Sequence, residues 1–83
     1  MPTATAREFQ RVARLLGFIL VRQKGSHARW NHLDGRATTI PVHGGEEIGP
    51  PLFNKVLPQL GITLDEFQKL RKLVKYLFDF AKI

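Results

Sequence analysis

The pair Asp34-Gly35 stands between two strand-like runs, HARWNH (residues 27–32) and ATTIPVH (residues 37–43), and it restricts the chain more than any other feature. Asp-Gly between such runs is a strong hairpin signal. Side-chain demands then choose the register. Trp30, Ile40 and Val42 all need burial and belong on one face. A two-residue loop would put Trp30 on the face opposite Ile40, whereas a three-residue loop with Gly35 left-handed brings them together. In that register His27, Arg29 and Asn31 share the other face with Thr39, Pro41 and His43, and the imidazoles of His27 and His43 are expected to face each other. A third run, FILVRQK (residues 18–24), meets HARWNH at the Gly25-Ser26 bend and completes an antiparallel meander.

Helices flank the meander. Thr5 and Glu8 form a T-x-x-E capping box, after which Phe9, Val12, Ala13 and Leu16 fall on one helical face. Gly17 ends that helix, and Arg7, Arg11 and Arg14 are expected on its solvent side. Pro51 can open a second helix through Leu52, Phe53, Val56, Leu57 and Leu60, which Pro58 is expected to kink or shorten. Gly61 closes it. Thr63 and Glu66 form a second capping box, followed by the apolar stripe Phe67, Leu70, Val74, Leu77 and Ala81, widened by Leu73, Phe78 and Phe80. The order α-β-β-β-α-α predicts an α+β two-layer sandwich, a single domain over residues 1–83 with a core of about 5–62 and a helical extension over 63–83.

The chain has 83 residues, 43% of them hydrophobic, enough for one folded domain with a modest core. No apolar run approaches the ~20 residues of a membrane span. The N-terminus MPTATAREFQRVARLL has charges in every apolar stretch and does not read as a signal peptide. With no cysteine there is neither a disulfide nor a thiolate zinc site, and a cytoplasmic protein is expected. Charge carries more information. Thirteen Lys and Arg against seven Asp and Glu give a net +6. Arg7, Arg11, Arg14, Arg22, Lys24 and Arg29 stand against Glu8 in the first part of the chain. Such a domain attracts polyanions, nucleic acid first, although a merely solvated basic surface has the same composition.

Metal binding is disfavoured, because His27 and His32 sit at odd spacing on opposite strand faces and neither makes a ligand pattern with Glu46 or Glu47. No metal or cofactor is expected. Ser26 beside His27 lacks the elbow of a nucleophilic serine. What remains for His27 is proton transfer in a cationic setting. RNA supplies its own nucleophile, the 2′-hydroxyl, and needs only a base and cations around the phosphorus. Lys24, Arg29 and the Gly25-Ser26 N–H groups are candidate phosphate contacts. A histidine that only touches RNA or caps the turn fits these residues equally well. His43 is either a turn residue bonded to backbone or the second imidazole of an acid/base pair. His32 reads as structural, and Trp30 as core rather than a stacking platform.

The stretch LLGFILVRQKGSHARWNHLDGRATTIPVHGGEEI resembles the HicA family of bacterial toxins. The matching features are Gly17-Phe18, the R-Q-x-G-S-H run from Arg22 to His27, Trp30 three residues on, Asp34-Gly35-Arg36, and Pro41-Val42-His43. The likeness extends over roughly residues 9–70. The resemblance implies a double-stranded-RNA-binding-domain-like α-β-β-β-α fold, mRNA cleavage, a catalytic role for His27, and a HicB-type antitoxin as partner. Arg22, Lys24, Ser26 and Arg29, with Lys55, are then the RNA-binding candidates. A non-catalytic RNA-binding module of the same fold is the alternative. The chain departs from the family at Pro50-Pro51-Leu52 and Pro58, and in its long last helix. That helix would cover an apolar edge, form a homo-oligomer or dock the antitoxin.

Overall fold

The computed structural model describes residues 2–42 and 47–81, with side chains to residue 77. In chain order it contains β1 (Ala4–Thr5), α1 (Ala6–Leu15), β2 (Ile19–Lys24), β3 (His27–Asn31), β4 (Ala37–Pro41), β5 (Glu47–Ile48), α2 (Leu52–Leu60) and α3 (Leu64–Ala81). Strands β2-β3-β4 form one antiparallel sheet, and β1 pairs with β5 in a small second one. This is the α+β arrangement expected from the sequence, a helix, a three-stranded meander and a second helix, followed by an additional C-terminal helix. None of the described helices is long and apolar enough to cross a membrane.

Local signals place the helices. Thr5 N–H donates to Glu8 Oε1 at 2.9 Å and Glu8 N–H donates to Thr5 Oγ1 at 3.1 Å, so the first capping box closes in both directions. Thr63 and Glu66 repeat it on α3, at 2.9 and 3.2 Å. Beyond α1, Gly17 takes φ +96°, and Phe18 N–H returns to the Ala13 carbonyl at 2.9 Å. The expected kink or shortening at Pro58 does not remove the end of α2, which runs on to Leu60. Pro58 and Asn54, whose carbonyl loses its donor, are both exposed, so the missing bond falls on the solvent side.

The three helices meet at three phenylalanines. Phe9 of α1, Phe53 of α2 and Phe67 of α3 have ring centroids 4.8–5.5 Å apart and are fully buried. Ala28, Trp30, Thr38 and Ile40 cover this cluster from the inner face of the sheet, which confirms Trp30 as a core residue. Arg14, expected simply in solvent, lies with its guanidinium 5.5 Å from the Trp30 ring centroid. The β3–β4 turn is the three-residue loop the side chains require. His32 N–H donates to the Arg36 carbonyl, Gly35 N–H donates to the His32 carbonyl, and Gly35 has φ +98°. As a result β3 ends at Asn31, one residue short of the expected run, and β4 at Pro41.

Candidate functional site

Strand alternation divides β3 into two sets of side chains. Ala28 and Trp30 point into the core, while His27, Arg29 and Asn31 lie on the outer, exposed face. On β4 the outer face carries Ala37, Thr39 and Pro41, paired with Asn31, Arg29 and His27 respectively. The expected partner across from His27 is therefore Pro41 rather than His43. His43 lies outside the described residues. The last described bond before it is Val42 N–H to the Ser26 carbonyl, at 2.6 Å.

The contribution of β2 depends on a feature the sequence reading missed. Leu20 pairs with Trp30, but the next pair is Arg22 with Arg29, so Val21 is an extra residue in a β-bulge. In unbroken alternation Arg22 and Lys24 would share the inner face with Leu20. The bulge inverts the parity. Arg22 and Lys24 thereby join the outer face, opposite Arg29 and His27. Two arginines directly opposed across strands repel one another, an arrangement that an anion between them relieves.

Two hollows open on this face, and His27, Arg29 and Thr39 belong to both. One, of about 520 Å³, is completed by Arg22, Lys24, Gly25 and Ser26. The other, of about 330 Å³, is completed by Pro41 and by Leu52, Lys55 and Gln59. Among the described residues no acidic side chain lines either. Arg29 Nη1 donates to Thr39 Oγ1 at 3.1 Å, which holds the guanidinium beside His27. The His27 side chain itself is exposed and makes no hydrogen bond among the described residues.

Arg22, Lys24, Ser26, His27 and Arg29 are thus brought together, and Lys55 joins them from α2. Thr39 lies on the face expected for it, opposite Arg29, whereas Gln59 carries no charge or motif that marks it in the sequence. His32 is elsewhere, as expected of a structural histidine. Its Nδ1 accepts the Asp34 N–H at 3.1 Å and its ring packs edge-on to Phe18. The Asp34-Gly35-Arg36 turn also has a structural task. Arg36 Nε donates to Asp34 Oδ2 at 2.8 Å, and its Nη1 donates to the Leu60 carbonyl at the C-terminus of α2. The backbone N–H of Arg36 and then its guanidinium hold the Asp34 carboxyl below the ordinary carboxylate value. Among the described residues no three His, Asp or Glu side chains form a group able to hold a metal ion.

Comparison with known proteins agrees with this architecture. The family model described as the HicA toxin of bacterial toxin–antitoxin systems matches residues 6–62. A protein from Pseudomonas fluorescens (strain Pf0-1) named probable mRNA interferase HicA is 36% identical over 55 residues, which cover 66% of this chain and 90% of that protein.

Proposed function

Because the chain belongs to the HicA toxin family, we propose that it is the mRNA-cleaving toxin of a toxin–antitoxin pair and that His27 moves the proton in the cleavage step. The observation that carries the reading is the position of His27, an exposed imidazole without a hydrogen-bond partner among the described residues, shared by two hollows with cations on both sides. A single-stranded RNA laid across the outer face would run from Arg22 and Lys24, past His27 and Arg29, to Lys55.

The imidazole takes the proton of the 2′-hydroxyl. The 2′-oxygen then bonds to phosphorus, the bond from phosphorus to the 5′-oxygen breaks, and that oxygen leaves with a proton. The products are a 2′,3′-cyclic phosphate and a 5′-hydroxyl. Arg29, Lys24 and Arg22 stabilise the charge that gathers on the phosphoryl oxygens. The substrate provides the nucleophile and the side chains provide charge stabilisation, so the scheme is complete without a metal or cofactor. His43 is the sequence's candidate for the acid that protonates the leaving oxygen. A HicB-type antitoxin would silence the toxin by covering this cationic face.

Expression of the wild-type chain in a bacterial host is expected to arrest growth and shorten bulk mRNA, with release on co-expression of the cognate antitoxin. His27→Ala should lose both effects and keep its fold by circular dichroism. A folded His27→Ala protein that still arrests growth and degrades mRNA would overturn the assignment. RNA binding by the wild type without any scission would favour the binding-module reading instead.

A further inference from the structure

The smaller hollow contains a side chain whose fixed bond points away from it. Thr38 is fully buried on the inner face of β4, and its hydroxyl donates to Gln59 Oε1 at 2.7 Å. A buried hydroxyl needs such an acceptor, which holds the amide with its oxygen on the Thr38 side. Thr38 thus leaves both Nε2 hydrogens unused, and in the planar amide the one trans to Oε1 points away from Thr38. Gln59 also lines the hollow. Leu52, Lys55 and Gln59 stand at i, i+3 and i+7 of α2 and share one helical face. Leu52 and Pro41 give the hollow apolar walls, and Lys55 sets a cation among them.

The two hollows therefore differ in kind. The larger is lined by Arg22, Lys24 and the Gly25-Ser26 bend, chemistry that suits a phosphate. The smaller combines apolar walls with an oriented amide donor, chemistry that suits the flat face and polar edge of a base. Its volume of about 330 Å³ lies at the small end of ligand cavities, which begin near about 300 Å³, and leaves room for one base.

We propose that this hollow is a base subsite beside the scissile phosphate, in which Gln59 donates to the exocyclic group at purine C6 or pyrimidine C4 and biases cleavage towards guanine and uracil, which carry a carbonyl there, over adenine and cytosine, which carry an amino group. The inference rests on the endoribonuclease reading and adds a sequence preference to it. An amino group at that position would set N–H against N–H and leave the amide without an acceptor.

The test uses short RNAs that differ only in the nucleotides flanking one cleavable bond. Both kcat/KM and equilibrium binding are measured for wild type, Gln59→Glu and Thr38→Val. Wild type should favour the keto bases in both readouts. Gln59→Glu can still accept the Thr38 hydroxyl but presents an acceptor to the hollow. The ratio of keto to amino substrates should fall at least about tenfold, the usual reach of a base-edge contact. Thr38→Val leaves the hollow lining intact but frees the amide to turn, so the ratio should move towards one. A folded Gln59→Glu protein with the wild-type ratio in cleavage and binding overturns the proposal, as does an unchanged ratio in Thr38→Val should Gln59→Glu not fold. Base-selective binding by a wild type that cuts nothing would overturn the endoribonuclease reading and leave the subsite standing.

Discussion

Glu8 joins two helices that are far apart in sequence, and removing that joint tests the packing of α3 most sharply. Its carboxylate accepts the Thr5 N–H within the capping box, and it also accepts Arg71 Nε at 2.6 Å and Arg71 Nη2 at 3.1 Å from α3. The side chains of Arg71 and Glu8 are 26% and 32% exposed. A fully exposed ion pair contributes roughly 0.2–1 kcal/mol, and a hydrogen bond to a charged group about 1.5–3 kcal/mol. The two-pronged, partly screened contact should lie between them, at about 1–2 kcal/mol of coupling. In a domain of this size that equals a fall in Tm of roughly 5–15 °C. A double-mutant cycle of Glu8→Gln, Arg71→Ala and the double variant, followed by urea denaturation near neutral pH, isolates this energy. Partial burial pushes the Glu8 carboxyl up, but the bonds from Arg71 and Thr5 outweigh it and hold it below its ordinary value of 4.5. A carboxylate lowered in the folded state stabilises the fold above the unfolded-state value. That stability is lost as pH falls from about 4.5 through the folded value. The coupling should therefore vanish in strong acid. Additive single variants at neutral pH, or a coupling unchanged in strong acid, would refute the joint.

Three further outcomes follow from the same geometry. RNA binding through Arg22, Lys24, Arg29 and Lys55 should give a slope of log K against log salt near about −3, and each alanine variant should reduce its size by about 0.7. A slope near zero would remove the cationic groove. Deleting Val21 should let β2 and β3 pair without a bulge while Arg22 and Lys24 stay opposite Arg29 and His27 on the outer face. Affinity for RNA should then stay near the wild-type value with the folded signal in circular dichroism intact, and a folded deletion that loses affinity would refute this account of the bulge. Gly61→Ala should destabilise the domain more than Gly35→Ala, by calorimetry about 2–3 against about 1 kcal/mol. Both glycines have positive φ, but a Cβ at Gly61 would lie 2.7 Å from Arg36 Nη1, whereas one at Gly35 meets open space. Equal losses would show that the Arg36 clamp on α2 carries no weight.

The features legible in the sequence are those decided by near neighbours. Both capping boxes need only residues three apart, and both form. The β3–β4 register was readable because Trp30 is too large to leave in water and Asp34-Gly35 permits just the turn that buries it. The bulge at Val21 was hidden, since Phe18, Ile19, Leu20 and Val21 are all apolar and give no parity to break. Ile19 and Val21 are in fact 56% and 52% exposed, as residues of an edge strand. The β1–β5 pair was invisible because two-residue strands have no periodicity, and their partners are separated by most of the domain. The wide stripe of the last helix was only partly a core signal. Phe67 and Val74 are buried, whereas Leu73 and Leu77 remain 46% and 45% exposed, because α3 offers more apolar surface than its neighbours cover. For the site, charge and the Gly-Ser-His bend located the β2–β3 side. Lys55 and Gln59 reach His27 through tertiary packing of α2 on β4, for which no local pattern exists.

The most direct test of the central claim is a cleavage assay with purified protein, a labelled single-stranded RNA and EDTA, read for the chemistry of the fragment ends. Wild type should yield fragments ending in 2′,3′-cyclic phosphate, and His27→Ala none, with the two proteins equally stable because an exposed, unbonded side chain contributes within about 0.5 kcal/mol. Scission by folded His27→Ala at the wild-type rate would contradict the account.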